Sequence, residues 1–229
     1  MKILCTICAR GGSKGVKNKN LKNLLGKPLI YHTISQAKKI KKFTKIVCSS
    51  DSENILKIAK TNKVDYALLR PQFLSNDKAE KLKAIKHCLI NAEKFFNLKF
   101  DYIVDLDVTA PLRSNNDINK IINLISKNKK AYNVLSLTPS RKNPYFNMVE
   151  IKNNNKLEIV KKISKKIHSR QKAPKVYEIN AGMYAWKRSS LIKNLKLINK
   201  NTHYFIVPNA RSVDIDTPED FKIVKSLLK

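Results

Sequence analysis

Acidic residues are scarce: 17 Asp and Glu stand against 47 Lys and Arg, a formal net charge of +30 over 229 residues. Glycine (5) and proline (8) are few as well, and 42% of the chain is hydrophobic, which excludes a disordered or collagen-like polymer and leaves material for a sizeable core. No apolar run approaches the roughly 20 residues that a membrane-spanning helix needs. The stretch Ile3–Cys8 is too short for a signal peptide and charges follow it at once. We therefore expect no membrane partner and a cytoplasmic location. The four cysteines include a formal C-x-x-C, Cys5-Thr6-Ile7-Cys8. Positions three apart on a strand face opposite ways, and no second close pair completes a zinc site, so buried structural thiols are expected. His32, His87, His168 and His203 stand singly, without ligand spacing. No repeat, linker or second globular unit is visible, so one domain over 1–229 is expected.

A basic chain raises the nucleic-acid class, whose phosphate contacts come from clustered Lys and Arg. Here the lysines run along the whole chain, and Asn and Ile are abundant too. Compositional drift explains that pattern better than a binding footprint does. No zinc-finger, basic-zipper or RNA-recognition pattern is present, and no nucleic-acid partner is expected.

The chain is organised around its first twenty residues. The apolar run Ile3–Cys8 has the length of a buried strand and opens into Arg10-Gly11-Gly12-Ser13-Lys14-Gly15, followed by Lys17, Lys19 and Asn20. Glycines let a backbone turn tightly and bring N–H groups to an anion, and Arg10, Lys14 and Lys19 add full charges. Strand, glycine turn and cations together suit a nucleoside triphosphate. The Walker loop and the dinucleotide fingerprint are both excluded, since the glycines read G-G-x-x-G.

Helical spacing of apolar residues predicts helices over 29–40, 52–60, 81–95, 118–126 and 218–228. Ser114 or Asn116 could cap the fourth. Strands are predicted over 3–8, 45–50, 64–69, 101–106, 133–137, 181–186 and 204–207. This alternation indicates an α/β fold with a mainly parallel sheet. The pattern breaks after Pro139: 145–151 and 157–163 flank an Asn-rich turn and read as a hairpin arm, and 170–179 is polar and irregular.

Ligands of such sheets sit at the carboxyl ends of the strands. Four loops there are chemically loaded: 10–20, 49–51, 105–113 and 214–220. Asp214 and Asp216, two apart on an extended segment, project to one side and make sense together around a cation such as Mg²⁺. Alternatively Asp216 or Thr217 caps the final helix, with Pro218 at its first position; both roles can coexist. Asp105 and Asp107 could contact a metal or sugar hydroxyls, or only polarise their loop.

The opening motif C-A-R-G-G-S-K-G-V-K-N-K-N resembles that of the acylneuraminate cytidylyltransferases, the CMP-sialic acid synthetase family. The likeness continues through Ser50-Asp51-Ser52-Glu53, Arg70-Pro71, Asp77, Thr109-Ala110-Pro111-Leu112-Arg113, Arg170-Gln171, Tyr177, Asn180 and the block Asp214 to Asp220. It spans essentially the whole chain. The resemblance implies a Rossmann-like nucleotidyltransferase domain and a reaction: the anomeric hydroxyl of a nonulosonic acid attacks the α-phosphorus of CTP, expelling pyrophosphate. It implies that Arg10, Gly11, Gly12, Ser13 and Lys19 hold the triphosphate, that Asn20 and Arg70 meet the cytidine, and that Asp214 and Asp216 hold Mg²⁺. Arg10, Lys19, Asp214 and Asp216 are then the catalytic set, and Asp107, Thr109, Arg170, Gln171 and Asn180 the acceptor-binding set. The arm 139–179 resembles the family's dimerisation element, which implies a homodimer.

Three departures concern the acceptor. Asp107 stands where the sialic-acid enzymes have glutamine, Lys81 near an expected serine, and Asn180-Ala181-Gly182 in place of N-G-A. The D-L-D version, Asn143-Pro144-Tyr145-Phe146-Asn147 and Tyr177 to Gly182 are most similar to the branch activating legionaminic acid. The same reaction on sialic, pseudaminic or another keto-acid sugar is the alternative. A basic nucleic-acid-binding protein on a degenerate transferase fold is the remote one, opposed by the acidic pair Asp214/Asp216.

Overall fold

The computed structural model describes residues 1–12, 15–76, 80–163, 168–193 and 195–228. Strand β1 (Ile3–Cys8) leads through a 3-10 turn, Lys19–Leu21, into a small hairpin of β2 (Asn23–Leu24) and β3 (Lys27–Pro28). There follow α1 (Leu29–Lys38), β4 (Lys45–Ser50), α2 (Glu53–Thr61), β5 (Tyr66–Leu69), α3 (Lys81–Phe96), β6 (Tyr102–Leu106), α4 (Asn115–Lys127) and β7 (Asn133–Pro139). A second hairpin comprises β8 (Val149–Ile151) and β9 (Leu157–Ile159), and the chain ends with β10 (Tyr177–Lys187), α5 (Arg188–Lys193), β11 (Thr202–Ile206) and α6 (Pro218–Leu227).

Seven strands form one sheet in the order β11-β7-β10-β6-β1-β4-β5. β1 runs parallel to β4 and β6, β4 to β5, and β11 to β7. β10 alone among these runs against its neighbours, β6 and β7. The alternation of side chains along each strand divides the core into two layers. Ile3, Cys5 and Ile7 face the layer of α1, α2, α4 and α6, with Ile34, Ile55, Ile121 and Val224 among its members. Leu4, Val47, Ile103 and Trp186 face α3 and α5, with Ile85, Leu89 and Leu191. Burying each such side chain contributes about 1.5–3 kcal/mol. A one-residue slip of β1 would exchange the two faces and forfeit the packing of both. Cys5 joins the first layer and Cys8 the second, so their thiols diverge as expected, and all four cysteines are free. Among the described residues no helix is long and apolar enough to cross a membrane.

The chain fills β1, β4 and β5 outward on one side and then returns to place β6 on the other flank of β1. That reversal opens a crevice at the carboxyl ends of β1 and β6.

Several elements differ from the sequence-based expectation. The last three residues of the stretch 170–179 already belong to β10, because Tyr177, Glu178 and Ile179 pair with Pro139, Thr138 and Leu137. The hairpin arm has shorter strands than 145–151 and 157–163, joined by a 3-10 turn at Asn153–Asn155. Helix α5 and the β2–β3 hairpin had no signal. The hairpin turns at Leu25 and Gly26, both at positive φ (50° and 82°), the twist that two-residue hairpins favour. Ser114, not Asn116, caps α4, in a capping box with Asp117.

Candidate active site

Each loop leaving a parallel strand delivers a polar group to the crevice. After β1 the chain turns back at Asn18, in the left-handed region (φ 52°), and the 3-10 turn behind it aims Lys19 and Asn20 inward. The Asn20 amide donates to the Arg10 carbonyl at 2.9 Å and closes the loop on itself, while its Oδ1 is buried and meets no hydrogen-bond partner among the described residues. After β4, Asp51 accepts the Gly11 backbone N–H at 2.9 Å. After β5, buried Arg70 donates to Ser75 Oγ (3.0 Å) and lies 3.8 Å from the Asp51 carboxylate. After β6, buried Arg113 folds its guanidinium onto the carbonyls of Asp107, Ala110 and Gly182 and onto Thr33 Oγ1. It fixes the shape of the loop 107–113.

The segment before α6 closes the crevice. Thr217 caps that helix in a box with Asp220, and Pro218 is its first residue, so Asp216 is not the cap. Lys19 Nζ donates to the Ile215 carbonyl and pairs with Asp216 Oδ1 at 2.9 Å. Asp214 is mostly buried, and its Oδ1 has no hydrogen-bond partner among the described residues. Burial, reinforced by Asp107 and Asp216, raises its pKa above the ordinary aspartate value, against the Thr109 hydroxyl and Lys19.

Arg10, Lys19, Asn20, Arg70, Asp107, Thr109, Asp214 and Asp216 line one cavity of about 580 Å³, together with Cys8, Gly15, Glu80 and Lys81, while Asp51 and Arg113 hold its loops without lining it. Its cations are Arg10, Lys19, Arg70 and Lys81, and its carboxylates Glu80, Asp107, Asp214 and Asp216. Lys81 Nζ lies 2.6 Å from Asp107 Oδ2 and 3.2 Å from Asp105 Oδ2. Burial raises the Asp107 carboxyl, but the Lys81 ammonium and two hydrogen bonds from Thr109 outweigh it and bring the pKa to about 2. Fully buried Asp105 is instead raised, by desolvation that Lys81 and the Thr6 hydroxyl only partly offset.

The sequence pattern of one family, described as "Cytidylyltransferase", matches residues 4–227. The chain belongs to the cytidylyltransferase family. Post-translational flagellin modification protein B of Campylobacter coli is 42% identical over 227 residues, 99% of this chain and 95% of that protein. CMP-N,N'-diacetyllegionaminic acid synthase of Campylobacter jejuni is 41% identical over 226 residues, covering 99% and 94% respectively. The solved CMP:2-keto-3-deoxy-manno-octonic acid synthetase complexed with CTP superposes with a TM-score of 0.73 at 16% identity, over 100% of this chain and 98% of the other. That likeness is one of fold.

Within this cytidylyltransferase, Arg10, Lys19, Asn20, Arg70, Asp107, Thr109, Asp214 and Asp216 meet as the sequence suggested. Gly11 lies in the same loop, against Ser52 and Asp51, and none of the described residues crowds Gly12. Ser13 and Asp77 fall outside the described residues. Asn180 lines a neighbouring depression that shares Asp214. Arg170 and Gln171 are not brought to the cavity: both are exposed, and Arg170 donates to the Ser140 carbonyl. Asp51 and Arg113 were not singled out for a site by sequence reasoning, and Lys81 only as a departure on the acceptor side. Asp51 and Arg113 lay within motifs already quoted, but their partners are distant in sequence.

Proposed function

We propose that this cytidylyltransferase joins CTP to a nonulosonic acid, a legionaminic-acid-like sugar, giving a CMP-sugar and pyrophosphate in the cytoplasm. The observation that carries the reading is the single cavity at the β1/β6 crevice, where a glycine loop with Arg10 and Lys19 faces Asp214 and Asp216. The nearly full-length relative named for CMP-N,N'-diacetyllegionaminic acid synthesis supports the choice of sugar.

In this reading the acceptor's anomeric hydroxyl gives up its proton to water as its oxygen bonds to the α-phosphorus and the bond from that phosphorus to the bridging oxygen breaks. Pyrophosphate leaves with the electron pair. Arg10, the loop N–H of Gly12 and Ser13 hold the phosphates, Gly11 shapes the loop through its N–H to Asp51, and Lys19 stands over the phosphates from its seat on Ile215 and Asp216. Asn20 and Arg70 receive the cytidine; the Asn20 Oδ1, without a partner among the described residues, is an acceptor suited to an amino group. Positioning and charge do the work in such a site. Asp214 and Asp216 fit a Mg²⁺ ion: both are oxygen donors on one wall, and no described residue gives the Asp214 Oδ1 a hydrogen bond. Among the described residues no three metal-ligating side chains converge, so phosphate and water would complete the coordination. Bound there, the ion would neutralise charge on the phosphates.

The arm carries exposed apolar residues, Val149, Ile151, Leu157 and Tyr177 among them. A second copy covering them would make the homodimer and would carry Arg170 and Gln171 toward the partner's acceptor site.

The test is pyrophosphate release from CTP with Mg²⁺ against legionaminic, pseudaminic, sialic and 3-deoxy-octulosonic acids, beside Asp216→Ala. Turnover with legionaminic acid, lost in the variant and in chelator, is expected. Preference for another sugar would overturn the choice of acceptor. No turnover with any, with tight RNA binding at physiological salt, would overturn the reaction.

A further inference from the structure

We infer that Lys81 determines acceptor specificity by acting through Asp107, holding that carboxylate as a fixed group that only accepts hydrogen bonds. The inference rests on the proposed transfer to an acceptor sugar and adds a residue to it. Lys81 is the first residue of α3, and its ammonium reaches into the cavity wall. There it donates to Asp107 Oδ2 at 2.6 Å and to the Ala181 carbonyl at 3.4 Å, faces Asp105 Oδ2 at 3.2 Å and lies 4.8 Å from the Tyr184 ring centre. Two carboxylates neutralise it from within the protein. Its charge is therefore directed at Asp107 and Asp105.

The same contacts determine what Asp107 can offer. Its Oδ1 already takes the Thr109 N–H and hydroxyl, at 3.0 and 2.8 Å, and its Oδ2 takes Lys81. The carboxylate can neither rotate freely nor take up a proton to become a donor. The lone-pair direction that remains on Oδ2 can be satisfied only by a hydroxyl or an amide N–H of the ligand. A carbonyl or carboxylate presented there would meet an anion and be rejected. The group belongs to the acceptor side of the cavity: Lys81 is tied to Ala181, beside Asn180 in the neighbouring depression, and Thr109 links Asp107 to Asp214. A neutral glutamine at 107 would present a donor and an acceptor together, and it would offer Lys81 a hydrogen bond but no opposite charge.

The experiment measures KM for CTP and for the acceptor separately in Lys81→Met and in the double variant Lys81→Ser with Asp107→Gln. The double variant removes both charges together and guards against misfolding, which thermal melting checks. For Lys81→Met, a rise of about tenfold or more in the acceptor KM is expected, with the CTP KM within about twofold. In the folded double variant, the ratio of kcat/KM between the wild type's preferred sugar and a second panel sugar should fall about tenfold or more. Parallel rises in both KM values would mark Lys81 as merely structural, and an unchanged sugar ranking in the double variant would overturn the inference. A wild-type enzyme that turns over no sugar would overturn the proposed function and this inference with it. An active wild type with unaffected variants overturns the inference alone.

Discussion

A Cβ atom on Gly15 would stand 2.0 Å from the backbone carbonyl oxygen of Asp216. The glycine loop and the aspartate segment thus touch backbone to backbone, and only a residue without a side chain fits between them. Among the described residues, no atom lies within 4 Å of a would-be Cβ on Gly12, in the same loop. Gly15→Ala should therefore cost about 1–3 kcal/mol and depress activity, whereas Gly12→Ala should leave the melting temperature unchanged. Thermal melts of the two variants compare them directly; equal melting temperatures would refute the interlock.

Asp51 anchors the loop from the opposite side through the Gly11 N–H, and it also faces Arg70. Asp51→Ala should raise the KM for CTP about tenfold or more by freeing both partners. The acceptor KM should move far less. Isothermal titration with CTP offers a check independent of turnover.

The cap of α6 links helix stability to the site. One oxygen of Asp220 accepts the N–H groups of both Thr217 and Asp216, at 2.8 and 3.1 Å. Asp220→Ala should cost about 1 kcal/mol and also release the Asp216 backbone. We expect a lower melting temperature together with a higher Mg²⁺ requirement for half-maximal activity. A stability loss with an unchanged metal requirement would confine Asp220 to capping.

Two ion pairs predict acid sensitivity. Burial pushes the Glu93 carboxyl up, but the Arg188 fork (2.6 and 2.9 Å), the Phe100 N–H and Lys99 bring it below its usual value. Asp117 is likewise held low: Arg211 and Ser114 outweigh its desolvation. A carboxyl with a depressed folded-state pKa stabilises the fold above its unfolded value, near 4. That contribution is lost as pH falls through the folded value. The melting temperature should hold steady from neutrality to about pH 5 and then fall. Glu93→Gln should lower it at neutral pH by the equivalent of about 2 kcal/mol and shallow the acid decline. A wild-type acid slope retained in the variant would contradict this account.

Much of the strand-and-loop frame of the cavity was legible because its signals are local. A buried run such as Ile3–Cys8, a glycine turn and flanking cations lie within twenty residues and need no tertiary partner to be read. The two capping boxes likewise follow from spacing, Ser114 to Asp117 and Thr217 to Asp220. The direction of β10 was not legible, since Met183 to Trp186 carries the same apolar pattern read either way and only pairing orients it. Lys81 was visible only as a departure near an expected serine. Its contacts with Asp105, Asp107 and Ala181 were not legible, because only the fold brings those residues around it. Arg170 and Gln171 look like site residues in sequence, yet the protomer leaves them exposed on the arm.

Because β10 runs backwards, its beginning rather than its end lies level with the carboxyl ends of β1 and β6, where Gly182 receives the Asp107 N–H. Asn180, Ala181, Gly182 and Met183 stand there against Ser136 alone, a bulge that pushes the Asn180 side chain out of register. The arm and this bulge are one uninterrupted length of chain, from the end of β7 to β10, and the glycine loop with Arg70 lies wholly outside it. Lys81 from the start of α3 and Asp107 from the loop after β6 both reach across to it, at the Ala181 carbonyl and the Gly182 carbonyl. The reversed strand is therefore a seam where three distant stretches of chain meet, and a change in any one of them is felt by the other two.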